Sequence, residues 1–453
     1  MPLQTPQSAT TVYLDQPPSC LQTCPASPNH FVIGTYLLTE TKDEATDTIQ
    51  QTKTGSLQLW HLAPETNTLT QLQKLSLPHA VFDLHFHPTN PTLLAIATSS
   101  GSVSLFRITI TAISSGSKPE ILPLWTKPVH EDPTIPALFL AWTPACWLNP
   151  ASSSSSSSKG SSSSSSADGF AVTFSDGRTT VFGCTEGISG LADGDPRADG
   201  DDGHGLVEEV GCFAVREMIE VWFVALGVFS SSSSSSSSSD GEKGRFLFTG
   251  DDFGGVHTRR FSDFNSNSNL DLDEGEGEGE GELLAPVTLD YDDRARHHTA
   301  GVTAILPLSV LGLEDGAPLL LTGSYDEYLR VYHATRRGQV LAEVCLGGGV
   351  WRLQLVRTEH EVLSGGEEWR FLVLASCMHA GTRVVRITRT LGKNAGWDIE
   401  VLAEFTEHQS MNYASDVWKP KGGYDLQGKE MSELLCISSS FYDRRLCLWW
   451  VNV

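Results

Sequence analysis

The stretch Leu319-Leu-Leu-Thr-Gly-Ser-Tyr-Asp-Glu-Tyr-Leu-Arg-Val-Tyr332 decides the fold. Two short apolar runs flank a tight polar turn, with Asp326 in the turn and an aromatic, Tyr332, six residues later. Leu435-Cys-Ile-Ser-Ser-Ser-Phe-Tyr-Asp-Arg-Arg-Leu-Cys-Leu-Trp449 repeats the pattern with Asp443 and Trp449. Each unit reads as two neighbouring strands of a hairpin. Fainter copies lie at Leu94–Phe106, Phe170–Phe182, Phe246–Arg259 and Leu372–Val385, and a further copy, Phe31–Trp60, is split by a polar insertion at about 39–54. Each copy after the first is preceded by another short apolar run: Val81–Phe86, Leu138–Trp142, Ile219–Val224, Val302–Leu306, Val350–Leu355 and Tyr413–Trp418. Helical periodicity is nearly absent.

Seven copies of a roughly four-stranded unit predict an all-β chain, a single seven-bladed WD-repeat β-propeller over residues 10–453. Each blade buries apolar surface only against its neighbours, so the first and last must meet. Thr10–Leu14 alternates polar and apolar side chains. It is expected to form the outer strand of the last blade beside Arg445–Trp450, closing the ring and removing open edges.

The chain has 453 residues and a formal net charge of −24. Asp193–Glu209 and Asp271–Glu282 supply −6 and −7 of it, so the remainder is only about −11. Gripping nucleic acid through its phosphates needs clustered Lys and Arg, so direct nucleic-acid binding is not expected. Low-complexity loop insertions are read at 151–168, 190–206, 230–244 and 262–284, where near-pure serine or Glu-Gly sequence cannot bury enough apolar surface to offset its ordering. The start, Met1–Thr10, carries no apolar leader, and the longest apolar run, Val221–Phe229, is nine residues, about half a helical membrane span. The nine cysteines are scattered. Cys20 and Cys24 form the one close pair, with no second pair or histidine partners nearby, so no metal is expected and the thiols read as reduced core residues. A cytoplasmic, monomeric protein with no membrane contact is expected.

Propeller blades commonly spend His, Ser, Asp and Trp on internal hydrogen-bond networks. His298, Ser324, Asp326 and Tyr332 are expected to form one, and His408, Asp443 and Trp449 another. No G-x-S-x-G elbow, H-E-x-x-H helix or Walker A loop is present.

The last blades carry more than generic repeats: Leu321-Thr-Gly-Ser-Tyr-Asp326, Gly348-Gly-Val-Trp-Arg-Leu353, Ala375-Ser-Cys-Met-His-Ala-Gly381, Glu407-His-Gln-Ser-Met-Asn-Tyr-Ala-Ser-Asp-Val-Trp418 and Ser438-Ser-Ser-Phe-Tyr-Asp443. In this order they resemble the eukaryotic WD-repeat diphthine methylesterases of diphthamide biosynthesis, also named diphthine methyltransferases. His298-Thr-Ala-Gly-Val302 and Gly34-Thr-Tyr36 agree more weakly. The chain departs from the usual Trp-Asp-x-Arg strand ending, which here reads Tyr332-His-Ala-Thr335. The resemblance implies a carboxylic ester hydrolase that needs no cofactor. Its substrate would be the methyl ester of diphthine on translation elongation factor two, and methanol would be released. The alternative is a non-catalytic propeller adaptor that recruits a protein partner.

Such a substrate carries a trimethylammonium group, attracted to aromatic faces and carboxylates. Its hydrolysis needs a base and a nucleophile or activated water. The residue just before the turn Asp reads, around the ring, Tyr36, Ser99, Ser175, Asp252, Tyr325, His379 and Tyr442. His379 is the expected general base, with His408 and Ser410 as the second catalytic option. Tyr36, Asp252, Tyr325, Trp351 and Tyr442 are the expected substrate-binding residues.

Overall fold

The computed structural model describes residues 2–43, 48–110, 118–148, 167–188, 206–215, 218–230, 243–262, 283–363, 365–392, 395–420 and 432–453. The four expected insertions lie outside these, apart from their edges. Among the described residues no helix is long and apolar enough to cross a membrane.

Seven antiparallel sheets form the ring, each with its strands in the order inner, second, third and outer. Blade two shows the plan: Val81–Phe86, Leu93–Thr98, Ser102–Thr109 and Glu120–Pro128. The inner strands contact one another in succession, Pro18–Thr23, Val81–Phe86, Ala137–Trp142, Val221–Ser230, Val302–Pro307, Arg352–Leu363 and Ala414–Val417. The last of these returns to contact the first.

Burial explains why the second strands read as unbroken apolar runs. Ala317–Ser324 is buried at every position, as are His30–Thr35 and Leu93–Thr98, because a neighbouring blade covers each face. Outer strands such as Thr68–Leu77 meet solvent and alternate polar with apolar side chains. The core is therefore a set of clusters between blades. One joins Phe31, Ile33 and Leu62 of blade one to Leu435, Ile437 and Leu448 of blade seven.

Ser8–Tyr13 pairs antiparallel with Arg445–Asn452 and is the outer strand of blade seven, so the ring closes where the alternation at Thr10–Leu14 placed it. Leu14 is buried in the cluster between blades one and seven.

The insertion in blade one has a structure of its own. Leu37–Asp43 pairs with the first half of Thr48–Ala63, from Leu37 opposite Thr54 to Asp43 opposite Thr48. This β-ribbon springs from the turn after the second strand, on the face where the inner strands begin.

The expected scaffold networks are present with altered membership. His408 Nε2 lies 2.8 Å from Ser438 Oγ, which accepts Trp449 Nε1–H at 3.0 Å. Asp443 is not in this network; it accepts from Ser410 Oγ at 2.6 Å and the Gln409 N–H at 3.1 Å. In blade five, His298 Nε2 lies 2.9 Å from Thr322 Oγ1 and does not pair with Ser324, which donates to the Ala300 carbonyl. Asp326 pairs with Arg330 at 2.9 Å, and the Tyr332 hydroxyl donates to Asp293. In both blades the histidine's partner is a hydroxyl on the second strand, Thr322 and Ser438, four and five residues ahead of the turn Asp.

Candidate functional site: an aromatic cavity at one mouth of the channel

Two positions of the repeat converge on one mouth of the central channel. The first follows the second strand. Its backbone N–H donates to a carbonyl just ahead of the inner strand: Tyr36 to Pro17, Asp252 to Glu220, Tyr325 to Gly301 and Phe441 to Met411. The second lies at the start of the inner strand, where the register slips by one residue in five blades, and it is Ser19, Phe82 and Trp222 in blades one, two and four. Trp351 and Tyr413 hold the matching place in blades six and seven, directly ahead of their inner strands. The slip turns that side chain toward the mouth.

Together these residues enclose a cavity of about 520 Å³, lined by Tyr36, Phe82, Trp222, Tyr325, Trp351, Tyr413, Phe441 and Tyr442, with Leu37 and Leu38 of the ribbon and Arg444 at its edge. The rings form a continuous arc. Trp222 and Tyr325 stand 6.1 Å apart between centroids, Tyr325 and Trp351 6.0 Å, Trp351 and Tyr413 5.0 Å, and Tyr413 and Phe441 5.5 Å. Phe441 meets Tyr36 at 6.2 Å and Tyr36 meets Phe82 at 5.3 Å. Adjacent rings mostly meet edge to face or tilted, the arrangements that aromatic quadrupoles favour.

The electrostatics are uneven around the arc. Asp252 stands behind Trp222 and accepts its indole N–H at 2.6 Å. Burial pushes the Tyr325 hydroxyl well above the ordinary tyrosine range, and the nearby Asp252 and Glu220 carboxylates add to it. Burial likewise raises Tyr36 and Tyr413, so these phenols stay neutral. On the blade-seven side, Arg444 donates to the Asp15 carbonyl at 3.0 Å. The carboxylates thus lie on the Trp222–Tyr325 side, where the Arg352 guanidinium, 4.7 Å from the centre of the Trp351 ring, opposes them.

Of the expected binding residues, Tyr36, Tyr325, Trp351 and Tyr442 meet in this cavity, and Asp252 is joined to it through Trp222. The three expected catalytic residues do not line it. In blade six the repeat position belongs to Met378, whose sulfur lies against Gly349 as the Tyr325 ring lies against Gly301. A Cβ at Gly349 would come within 2.8 Å of the Met378 sulfur, and one at Gly301 within 2.9 Å of the Tyr325 ring. His379 is one residue further on, exposed in the turn. Tyr442 is likewise one residue past the true position, held by Phe441. His408 is buried in its Ser438 network, and burial lowers its pKa to about 4. Ser410 Oγ donates to Asp443 and accepts the Tyr442 N–H at 2.9 Å, so it is paired with a carboxylate and not with His408.

Phe82, Trp222, Tyr413 and Phe441 were not anticipated. Their signal is present in Val81-Phe82, Val221-Trp222 and Val350-Trp351, a β-branched residue and an aromatic opening an inner strand. Among the described residues, no group of three or more His, Cys, Asp or Glu is arranged to hold a metal ion.

Fold and site define a seven-bladed β-propeller with an aromatic, acid-backed cavity at one mouth of its channel. The sequence is similar, in particular, to curated diphthine methyltransferases. The Schizosaccharomyces pombe protein is 32% identical over 153 residues, 34% of this chain and 38% of that protein. The Mus musculus protein is 33% identical over 98 residues, 22% of this chain and 18% of its own length. The Homo sapiens protein is 28% identical over 122 residues, 27% of this chain and 23% of its own length. Each match therefore spans less than two-fifths of the relative. No family model matches the chain. Among solved structures, Chaetomium thermophilum Sqt1, crystallised bound to the N-terminus of the ribosomal protein L10, superimposes with a TM-score of 0.50 at 12% identity over 95% of this chain and 86% of that one. That likeness is one of fold.

Proposed function

We propose that this chain hydrolyses the methyl ester of diphthine on translation elongation factor two, releasing methanol and leaving a free carboxylate. One observation carries the reading. Four of the five motifs that resemble the diphthine-modifying family deliver an aromatic side chain to the cavity: Tyr325 from Leu321-Thr-Gly-Ser-Tyr-Asp326, Trp351 from Gly-Gly-Val-Trp-Arg, Tyr413 from the segment after His408, and Phe441 with Tyr442 from Ser-Ser-Ser-Phe-Tyr-Asp443. A trimethylammonium group cannot donate an N–H hydrogen bond. Aromatic faces backed by carboxylates are what recognise it. The cation belongs on the Trp222–Tyr325–Trp351 side, near Asp252 and away from Arg444.

Leu38 and Tyr442, both exposed, stand at the mouth itself. An apolar rim of this kind suits a folded protein substrate better than a free small molecule. It equally suits a recruiting role without chemistry, the second reading. Incubating purified chain with methyl-esterified elongation factor two separates them. Loss of one methylene from the intact mass of the factor, with stoichiometric methanol, is the expected result. Stable binding with an unchanged mass would replace the hydrolase by the adaptor.

A further inference from the structure

A second cavity, of about 130 Å³, continues down the channel from the aromatic one and shares Ser19 and Tyr413 with its lining. Its walls are the next residues of the same inner strands, and among their apolar side chains stand Asp83, His85, Arg352, Gln354 and Asp416. Asp416 is saturated by structural bonds, accepting the Thr23 N–H at 2.7 Å, the Thr23 hydroxyl at 2.8 Å and its neighbour's Val417 N–H at 2.7 Å. Asp83, His85 and Arg352 are not spent in this way.

His85 Nε2 stands 2.8 Å from Asp83 Oδ2. The carboxylate only accepts, so in the neutral imidazole the proton sits on Nε2 and Nδ1 presents a lone pair. Other His–Asp pairs of this propeller are scaffold, and burial separates them from this one. The side chains of His87, His130 and His257 are 1%, 3% and 6% exposed, whereas His85 is 33% exposed and lines the channel. The His85 ring meets the Phe139 ring at 5.1 Å, and the Arg352 guanidinium lies over that same ring at 4.8 Å. Arg352 Nη1 donates to the Thr303 and Trp351 carbonyls, at 3.1 and 2.9 Å. Among the described residues its Nη2 and Nε have no hydrogen-bond partner. Enclosure lowers the guanidinium pKa, and Asp83 opposes that fall.

A base oriented by a carboxylate, unpaired cationic donors and a neighbouring cation cavity are the parts that ester hydrolysis requires. Resting on the hydrolase reading above, we infer that the chemistry takes place in this lower chamber, with His85 as general base and Arg352 as oxyanion donor. Asp83 is a positioning residue. With the quaternary ammonium in the aromatic cavity, the ester reaches down the channel. His85 Nδ1 takes a proton from water as the water oxygen bonds to the ester carbon. The carbonyl electron pair moves onto oxygen and is met by Arg352 N–H groups. The pair then returns, the bond from carbon to the methoxy oxygen breaks, and the methoxy oxygen takes the proton from His85 and leaves as methanol. The new carboxylic acid loses its proton to solvent, and His85 is neutral again.

The test measures methanol release from methyl-esterified elongation factor two by the full chain, wild type and variants. For His85→Gln the expected result is a kcat lower by about 100- to 10,000-fold with KM within about threefold. Arg352→Lys should lower kcat by about 10- to 1,000-fold. His85→Gly, whose turnover should recover in part with added imidazole, provides a readout that a purely structural role would not move. A His85→Gln enzyme with near wild-type kcat, or no imidazole rescue while His379→Ala abolishes turnover, overturns the chamber and leaves the hydrolase reading standing. A wild-type chain that binds the factor and never releases methanol overturns both.

Discussion

The indole Nε1–H of Trp222 donates to Asp252 Oδ1 at 2.6 Å, which places a carboxylate directly behind one wall of the aromatic cavity. The pair links two different repeat positions of blade four, the start of the inner strand and the end of the second. Removing the charge while keeping an acceptor isolates its electrostatic part. Asp252→Asn is expected to weaken binding of a quaternary ammonium about 3- to 10-fold, with the loss shrinking at high salt. Titration with tetramethylammonium at two ionic strengths checks this.

Trp351 touches the rings of Trp222, Tyr325 and Tyr413, so it is the hub of the arc. A cation–π contact contributes about 0.5–2 kcal/mol. Trp351→Ala should therefore weaken the cationic ligand about 3- to 30-fold while a neutral tert-butyl analogue loses less. Equal losses for both ligands would show that the wall supplies area and not a quadrupole.

His298 and His408 are held neutral by burial, with pKa values lowered to about 3 and about 4. Each leaves Nδ1 buried without a hydrogen-bond partner among the described residues. Protonation there would create a charged N–H with nowhere to donate. The unfolded chain takes up these protons near pH 6.5, above the folded pKa, so it binds more protons throughout the interval below. Stability is full above pH 6.5 and falls as the pH drops toward 4, by on the order of 1–3 kcal/mol per histidine. Denaturant midpoints between pH 7 and 4.5 should decline, and His408→Gln should flatten part of the decline.

Leu14 fills the cluster between blades one and seven, just after the strand that closes the ring. Leu14→Ala should cost about 2–4 kcal/mol by lost burial and a residual cavity. Because the closing strand covers the edge of Arg445–Asn452, deleting residues 2–14 should cost more and promote self-association through that edge. Chemical denaturation and light scattering measure the two effects.

Much of the ring was legible in one dimension. Turn residues recurring between short apolar runs are local signals, so the seven repeats, the inner strands and the closing role of Thr10–Leu14 could be read from alternation and spacing. Position within a repeat was harder to read. Counting back from the turn Asp selects His379 and Tyr442, whereas the hydrogen bond to the inner strand's entrance selects Phe441, and packing on Gly349 selects Met378. One residue of turn length separates the two choices, and composition carries no trace of it.

By itself, the sequence determined the seven-bladed architecture and four of the aromatic residues that line the mouth. The tertiary structure alone decided which side chains share a cavity. Trp222, Trp351 and Tyr36 are brought together only when the ring closes between Pro18–Thr23 and Ala414–Val417. The slip at the head of the inner strands turns Phe82 and Trp222 into the mouth while the following residues, Asp83 among them, face the chamber below. The physical reason is that strand patterning encodes which face of a sheet a residue takes, whereas a site at the axis of a propeller depends on register and closure between residues hundreds of positions apart.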